Sequence, residues 1–156
     1  MMKTTIKIVG NVFMICTLIV ILSAGSQNRY KVSQLRGKWQ MVTGSPRPTQ
    51  IISEYIHGTY TVTCLQNGDT VIQAKYWFYL SDSVVTTFDW RQVTARTSGE
   101  YMVVQYGEDL RPPYEFPCDV FKIFTLNRDS LVMQYVPKKG QVMIGGGPVT
   151  YKRISD

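Results

Sequence analysis

From Gly37 onward, short runs of apolar and polar residues alternate with turn residues, and most runs repeat every second position. The clearest is Thr59–Leu65, where Tyr60, Val62 and Cys64 share one side while Thr59, Thr61 and Thr63 share the other. That period is the mark of a half-buried β-strand. Similar runs predict strands over Gly37–Thr43, Ile51–His57, Thr70–Leu80, Ser83–Trp90, Gln92–Thr97, Tyr101–Tyr106, Asp119–Leu126, Leu131–Val136 and Pro148–Ile154. Between Thr59–Leu65 and Thr70–Leu80 stands Asn67-Gly68-Asp69, and Asn-Gly tolerates the positive φ angles of a type I′ hairpin turn. Gly58 marks a tight bend or bulge, and Ser81-Asp82, Asn127-Arg128-Asp129 and Pro137–Gly140 supply further turns. Helical signal is confined to one short turn within Tyr30–Leu35. Eight to ten short strands joined by turns predict an all-β protein. Sequential hairpins favour an antiparallel up-and-down meander. Closing that meander into a β-barrel removes its exposed edges.

The first residues follow a different pattern. Lys3 and Lys7 precede a nearly unbroken apolar run, Ile8–Leu22, interrupted only by Gly10, Asn11 and Thr17. Ser23-Ala24-Gly25-Ser26 then provides small residues suited to a signal peptidase. The run has about 15 positions, short of the roughly 20 that span a bilayer as a helix. These features predict a cleaved N-terminal signal helix over 1–26, with an uncleaved N-terminal anchor as the alternative, then a lead-in over 27–36 and a barrel domain over 37–156. The protein is therefore expected outside the cytoplasm, periplasmic or secreted, meeting a membrane only through the signal segment. No Cys follows the small-residue motif, which disfavours a lipid anchor.

Composition supports a folded chain. Of 156 residues, 44% are hydrophobic and 18% charged, unlike the charge-rich, apolar-poor balance of disorder. Removing 1–26 takes away two lysines and no acids, lowering the formal charge from +6 to +4. So small and scattered an excess calls for no nucleic-acid partner. Cys64 and Cys118 remain after cleavage, free to form a disulfide in an oxidising compartment or to sit as two buried thiols.

Catalytic chemistry has little to stand on. His57 is the sole histidine, and a Cys64/His57 couple is the one nucleophile–base pairing available to it. The acids Glu108, Asp109 and Glu115 read as a solvated loop, and Gly145-Gly146-Gly147 lacks the Lys-Ser/Thr of a phosphate loop. No Cys/His spacing suggests a metal, and no cofactor motif is present. A non-enzymatic role is expected. The run Tyr76-Trp77-Phe78-Tyr79 is more informative, because alternate members of a strand face opposite sides. Ile72 and Ala74 share a side with Tyr76 and Phe78, which assigns that side to the interior and leaves Trp77 and Tyr79 outside. Tyr60, Val62, Tyr76, Phe78, Phe88 and Tyr101 would then line a pocket for a small hydrophobic molecule. The competing reading is a barrel filled by its own side chains, with Trp77 and Tyr79 forming an outer platform for a protein or glycan.

Leu35-Arg36-Gly37-Lys38-Trp39 resembles the opening of a lipocalin (calycin-type) barrel, where Gly-x-Trp begins the first strand. Thr150-Tyr151-Lys152-Arg153-Ile154, Asn127-Arg128-Asp129-Ser130-Leu131 and Tyr79-Leu80-Ser81-Asp82-Ser83 are similar to segments of lipocalin-like domains exported by Bacteroides-type bacteria. The resemblance implies that Trp39 plugs one end of the barrel, with Arg153, or Lys152 one face away, as its cationic cover. It also implies a barrel fold and an exported location, more than a particular function. The second lipocalin signature around Thr-Asp-Tyr and the C-terminal helix are both missing from this sequence.

Overall fold

The computed structural model describes residues 29–43, 49–107, 116–141 and 146–155. The expected signal segment over 1–26, Glu108, Asp109, Glu115 and Gly145 lie outside them. The chain enters through β1 (Tyr30–Lys31) and one helical turn, Val32–Leu35, and continues into β2 (Gly37–Met41), β3 (Thr49–Ile56), β4 (Thr59–Gln66) and β5 (Asp69–Ser81). An excursion follows, with β6 (Thr87–Phe88), a second helical turn, Gln92–Ala95, and β7 (Ser98–Gly99). The order then runs β8 (Tyr101–Tyr106), β9 (Phe116–Pro117), β10 (Asp119–Leu126), β11 (Ser130–Tyr135) and β12 (Val149–Ser155). Among the described residues no helix is long and apolar enough to cross a membrane.

Eight strands, β2–β3–β4–β5–β8–β10–β11–β12, form one closed antiparallel barrel in chain order, β12 pairing back onto β2. Two-residue turns set the first hairpins. His57 and Gly58 (φ 30° and 74°) join β3 to β4, and Asn67 and Gly68 (φ 54° and 91°) join β4 to β5. Both φ values are positive in each turn, as a type I′ connection requires. Register shifts near Cys64/Leu65, Ile123/Thr125 and Arg153/Ser155 bend the strands as β-bulges do.

The alternation sorts side chains into two cores. The inner one holds Trp39, Tyr55, Tyr60, Phe78, Leu80, Met102, Val104, Ile123, Leu131 and Met133, with Val62, Tyr76, Phe121 and Tyr151 packed against it. The outer one lies on the far side of β5, β8 and β10 and holds Tyr79, Phe88, Val103, Cys118 and Val120, with Trp77, Val93 and Tyr101 alongside.

The second core corrects the sequence reading. Ser83–Trp90 and Gln92–Thr97 are not barrel strands. β5 pairs directly with β8 (Ser81↔Tyr101), so everything between them leaves the sheet and folds back over its outer face. The β-branched run Val84–Thr87 looks like a strand because it, too, must bury one side. Its target is an outer aromatic face, not the barrel lumen. Tyr79 is only 3% exposed, Trp77 is half-buried, and the Tyr79 and Phe88 rings lie 5.1 Å apart. The expected exposed platform is covered by the protein's own chain.

Candidate ligand site

The barrel has a sealed end and a looser one. At the sealed end Leu35, Trp39, Leu80, Met102 and Leu131 are fully buried. Trp39 Nε1 donates to the Leu35 carbonyl at 2.7 Å, and the Arg153 guanidinium sits 4.2 Å over the indole ring. The same guanidinium donates to the carbonyls of Arg128 (2.6 Å), Gln34 (2.6 Å) and Arg36. One side chain thus ties together β12, the β10–β11 turn and the helical lead-in. A cation held over an aromatic face contributes about 0.5–1 kcal/mol when exposed and more when desolvated.

Above this plug runs a row of tyrosines. Register places Tyr55 beside Tyr60, Tyr60 beside Tyr76, and Tyr76 beside Tyr106, on four consecutive barrel strands. The first two pairs stack with ring centroids 4.8 Å apart, and the third meets edge-on at 5.5 Å. Phe78 closes the lower side, edge-on to Tyr55 at 5.5 Å. The next row toward the looser end is small: Ser53, Val62 and Ala74 are direct cross-strand partners. Opposite them stand Phe121, half-buried, and Tyr151. Toward this end burial relaxes, so that Cys64 and Tyr76 are half-buried while Ile72 and Tyr106 are exposed. The result is an aromatic floor beneath a wall of small residues.

The polar groups here are neutral. Burial holds the Tyr55 phenol well above its ordinary range, reinforced by Tyr60 and Tyr151. Burial likewise raises Tyr60, with Tyr76 next in effect, and it raises Tyr151. These groups therefore remain protonated donors at physiological pH. The Tyr55 hydroxyl lies near Ser53 yet makes no hydrogen bond of good geometry among the described residues. Among those residues the other buried polar side chains are Ser53 on the inner side and Ser81 on the outer side with Tyr79, and no charged side chain is buried, so the interior favours an uncharged guest.

The structure divides the sequence-predicted set. Tyr60, Val62, Tyr76 and Phe78 face the interior together, whereas Phe88 and Tyr101 pack in the outer core. Phe88 follows the excursion. Tyr101 faces outward because Leu80 pairs with Met102, putting Met102 on the inner side. Tyr55 and Tyr106 were missed. The Tyr55–Tyr60 pairing follows from a two-residue turn at His57-Gly58, but Tyr106 reaches the row only through the β5–β8 pairing.

Cys64 and Cys118 are both free thiols, not a disulfide. Register sets Cys64 on the inner Tyr60–Val62 side, and Cys118 lies in the outer core, so the sheet stands between them. His57, in the β3–β4 turn, and Cys64 are separated by about 16 Å of extended strand, and no couple forms. Among the described residues no cluster of His, Cys, Asp or Glu could hold a metal ion.

A concavity of about 490 Å³ lies at the sealed end, between the lead-in, the excursion and the β3–β4 turn, and reaches Tyr55 and Phe78 of the inner core. Comparison of the sequence with models of known protein families and with curated proteins found no match.

Proposed function

We propose that this protein is an exported lipocalin-like binder that takes a small, largely apolar, uncharged ligand through the looser end of its barrel. Export is supported by the basic, apolar and small-residue pattern of 1–26. The lipocalin likeness is supported by a closed eight-stranded meander whose Trp39 is covered by Arg153. One observation carries the ligand reading: the buried Tyr55 hydroxyl has no hydrogen-bond partner among the described residues. An unmade buried bond costs about 1–3 kcal/mol, and a guest with one polar atom over the tyrosine row would recover it.

The test is native mass spectrometry of mature protein purified from its own compartment. The expected result is a small bound mass, released on denaturation. Ala74→Trp, which sets a large ring beside Val62 and above the row, should lose that mass while keeping its circular dichroism. Tyr55→Phe should leave the empty protein as stable as before or slightly more so, and should hold the guest less tightly. Bare protein mass under gentle ionisation, or a guest retained equally by Ala74→Trp, would remove the barrel reading.

A further inference from the structure

The concavity at the sealed end has its own construction. Its two walls are joined by backbone: Lys31 pairs with Ser98, and the Val32 N–H donates to the Thr97 carbonyl at 2.8 Å. The β3–β4 turn forms the third side. There Gly58 holds a positive φ and lies so close to the excursion that an added Cβ would fall 2.3 Å from Val93 Cγ1. These ties form the cleft before any ligand arrives. Its apolar surface comes from Val32, Tyr55, Ile56, Phe78 and Val93, with Ile56 57% exposed at the edge.

Charge around it has one sign. Lys31 and Arg36 line the cleft and His57 stands in its third wall, and no carboxylate is among the lining residues. Arg36 and Ser33 also line an adjoining surface depression completed by Arg128 and Arg153. Arg153 is committed to Trp39 and to three carbonyls. The Arg36 side chain is exposed where the apolar cleft meets this basic depression. A volume near 490 Å³ falls within the usual range for small-molecule sites.

We infer that this cleft is a second binding site, for a small apolar carboxylate such as a medium-chain fatty acid or an aryl carboxylate. The apolar body lies against Val32, Ile56 and Val93. The carboxylate meets the Arg36 guanidinium, whose planar fork matches its two oxygens, with the Ser33 hydroxyl as a further donor. Tyr55 and Phe78 form the partition between the two sites, lining this cleft and flooring the tyrosine row, so the two proposals are told apart by where the blocking substitutions fall.

Titration of the mature protein with decanoate, followed by calorimetry and by the NMR resonances of His57, tests the inference. His57 is the chain's sole histidine, so its ring signals are unambiguous. One decanoate should bind per chain and shift those signals. Decanol should bind at least tenfold more weakly, and so should decanoate to Arg36→Gln, whose exposed side chain leaves the fold intact. Thr94→Trp, at an exposed position beside Val93, should block the cleft, whereas Ala74→Trp in the barrel should leave decanoate affinity unchanged. Equal binding of decanol and decanoate, or undiminished binding by Arg36→Gln, overturns the inference. So does binding lost in Ala74→Trp and kept in Thr94→Trp. Decyl phosphate binding where decanoate does not would overturn the carboxylate assignment.

Discussion

Trp39 concentrates the demands of the sealed end in one side chain. Its ring is fully buried, its N–H is satisfied by Leu35, and its face is covered by Arg153. Trp39→Ala should cost about 3–5 kcal/mol, the usual range for truncating a buried aromatic, measured by urea unfolding. An unchanged midpoint would mean that the barrel end is closed by something else. Asp89 makes a smaller, pH-dependent contribution. It accepts bonds from the Arg91 backbone (3.1 Å) and guanidinium (2.9 and 3.1 Å) and from the Gln92 amide (3.2 Å). The Arg91 side chain, first among these, draws the carboxyl down from 3.8 to about 2. A folded pKa below the unfolded one contributes stability that is complete above about pH 4 and lost as pH falls toward 2. The amide signals of Gln92–Ala95 should therefore titrate with a midpoint near 2 and show no step in Asp89→Asn. A midpoint at the ordinary carboxylate value would dissociate Arg91 from the turn.

At the scale of elements, the excursion between β5 and β8 is held on by close contact more than by pairing. Its two-residue ladders, β1–β7 and β6–β9, contribute few hydrogen bonds, while Phe88, Val85 and Val93 bury apolar surface against Tyr79 and Trp77. Gly99 permits a close approach of backbone to backbone, because a Cβ there would fall 2.4–2.6 Å from the Ser81 backbone. Backbone cannot yield as a flexible side chain does. Gly99→Ala should therefore destabilise by about 1–3 kcal/mol, as overpacking does, and should expose Trp77 to a fluorescence quencher. Wild-type stability in that variant would show that the excursion has room to shift.

The whole molecule is a wall with two different faces. One encloses the tyrosine row and the other carries the excursion, and Cys64 and Cys118 each report on one of them. Cys64 is half-buried on the inner side, whereas Cys118 is 2% exposed in the outer core, where burial also raises its thiol pKa. Less thiolate and less access both slow reaction. An aromatic disulfide reagent should label Cys64 in the native protein and reach Cys118 only on unfolding, and a guest in the barrel should protect Cys64. Equal labelling rates would place the two thiols in similar surroundings, contrary to the structure.

Period two between Gly37 and Ile154, with Asn67-Gly68 as punctuation, was enough to specify strands, antiparallel hairpins and a closed meander. It also set the inner side of Tyr60, Val62, Tyr76 and Phe78, because alternation and turn chemistry are local properties that the residues carry with them. Which strand follows β5 around the barrel is not local. Val84–Phe88 and Tyr101–Tyr106 both read as strands, and only the competition for β5's hydrogen-bonding edge placed Tyr101–Tyr106 beside it and sent the other outward. That long-range choice put Phe88 and Tyr101 outside and covered Trp77 and Tyr79. It also completed the tyrosine row with Tyr106 and, by folding the excursion against the lead-in, built the cleft at the sealed end. A side chain's preference for burial is written in the sequence. Which surface buries it is decided only when distant segments meet.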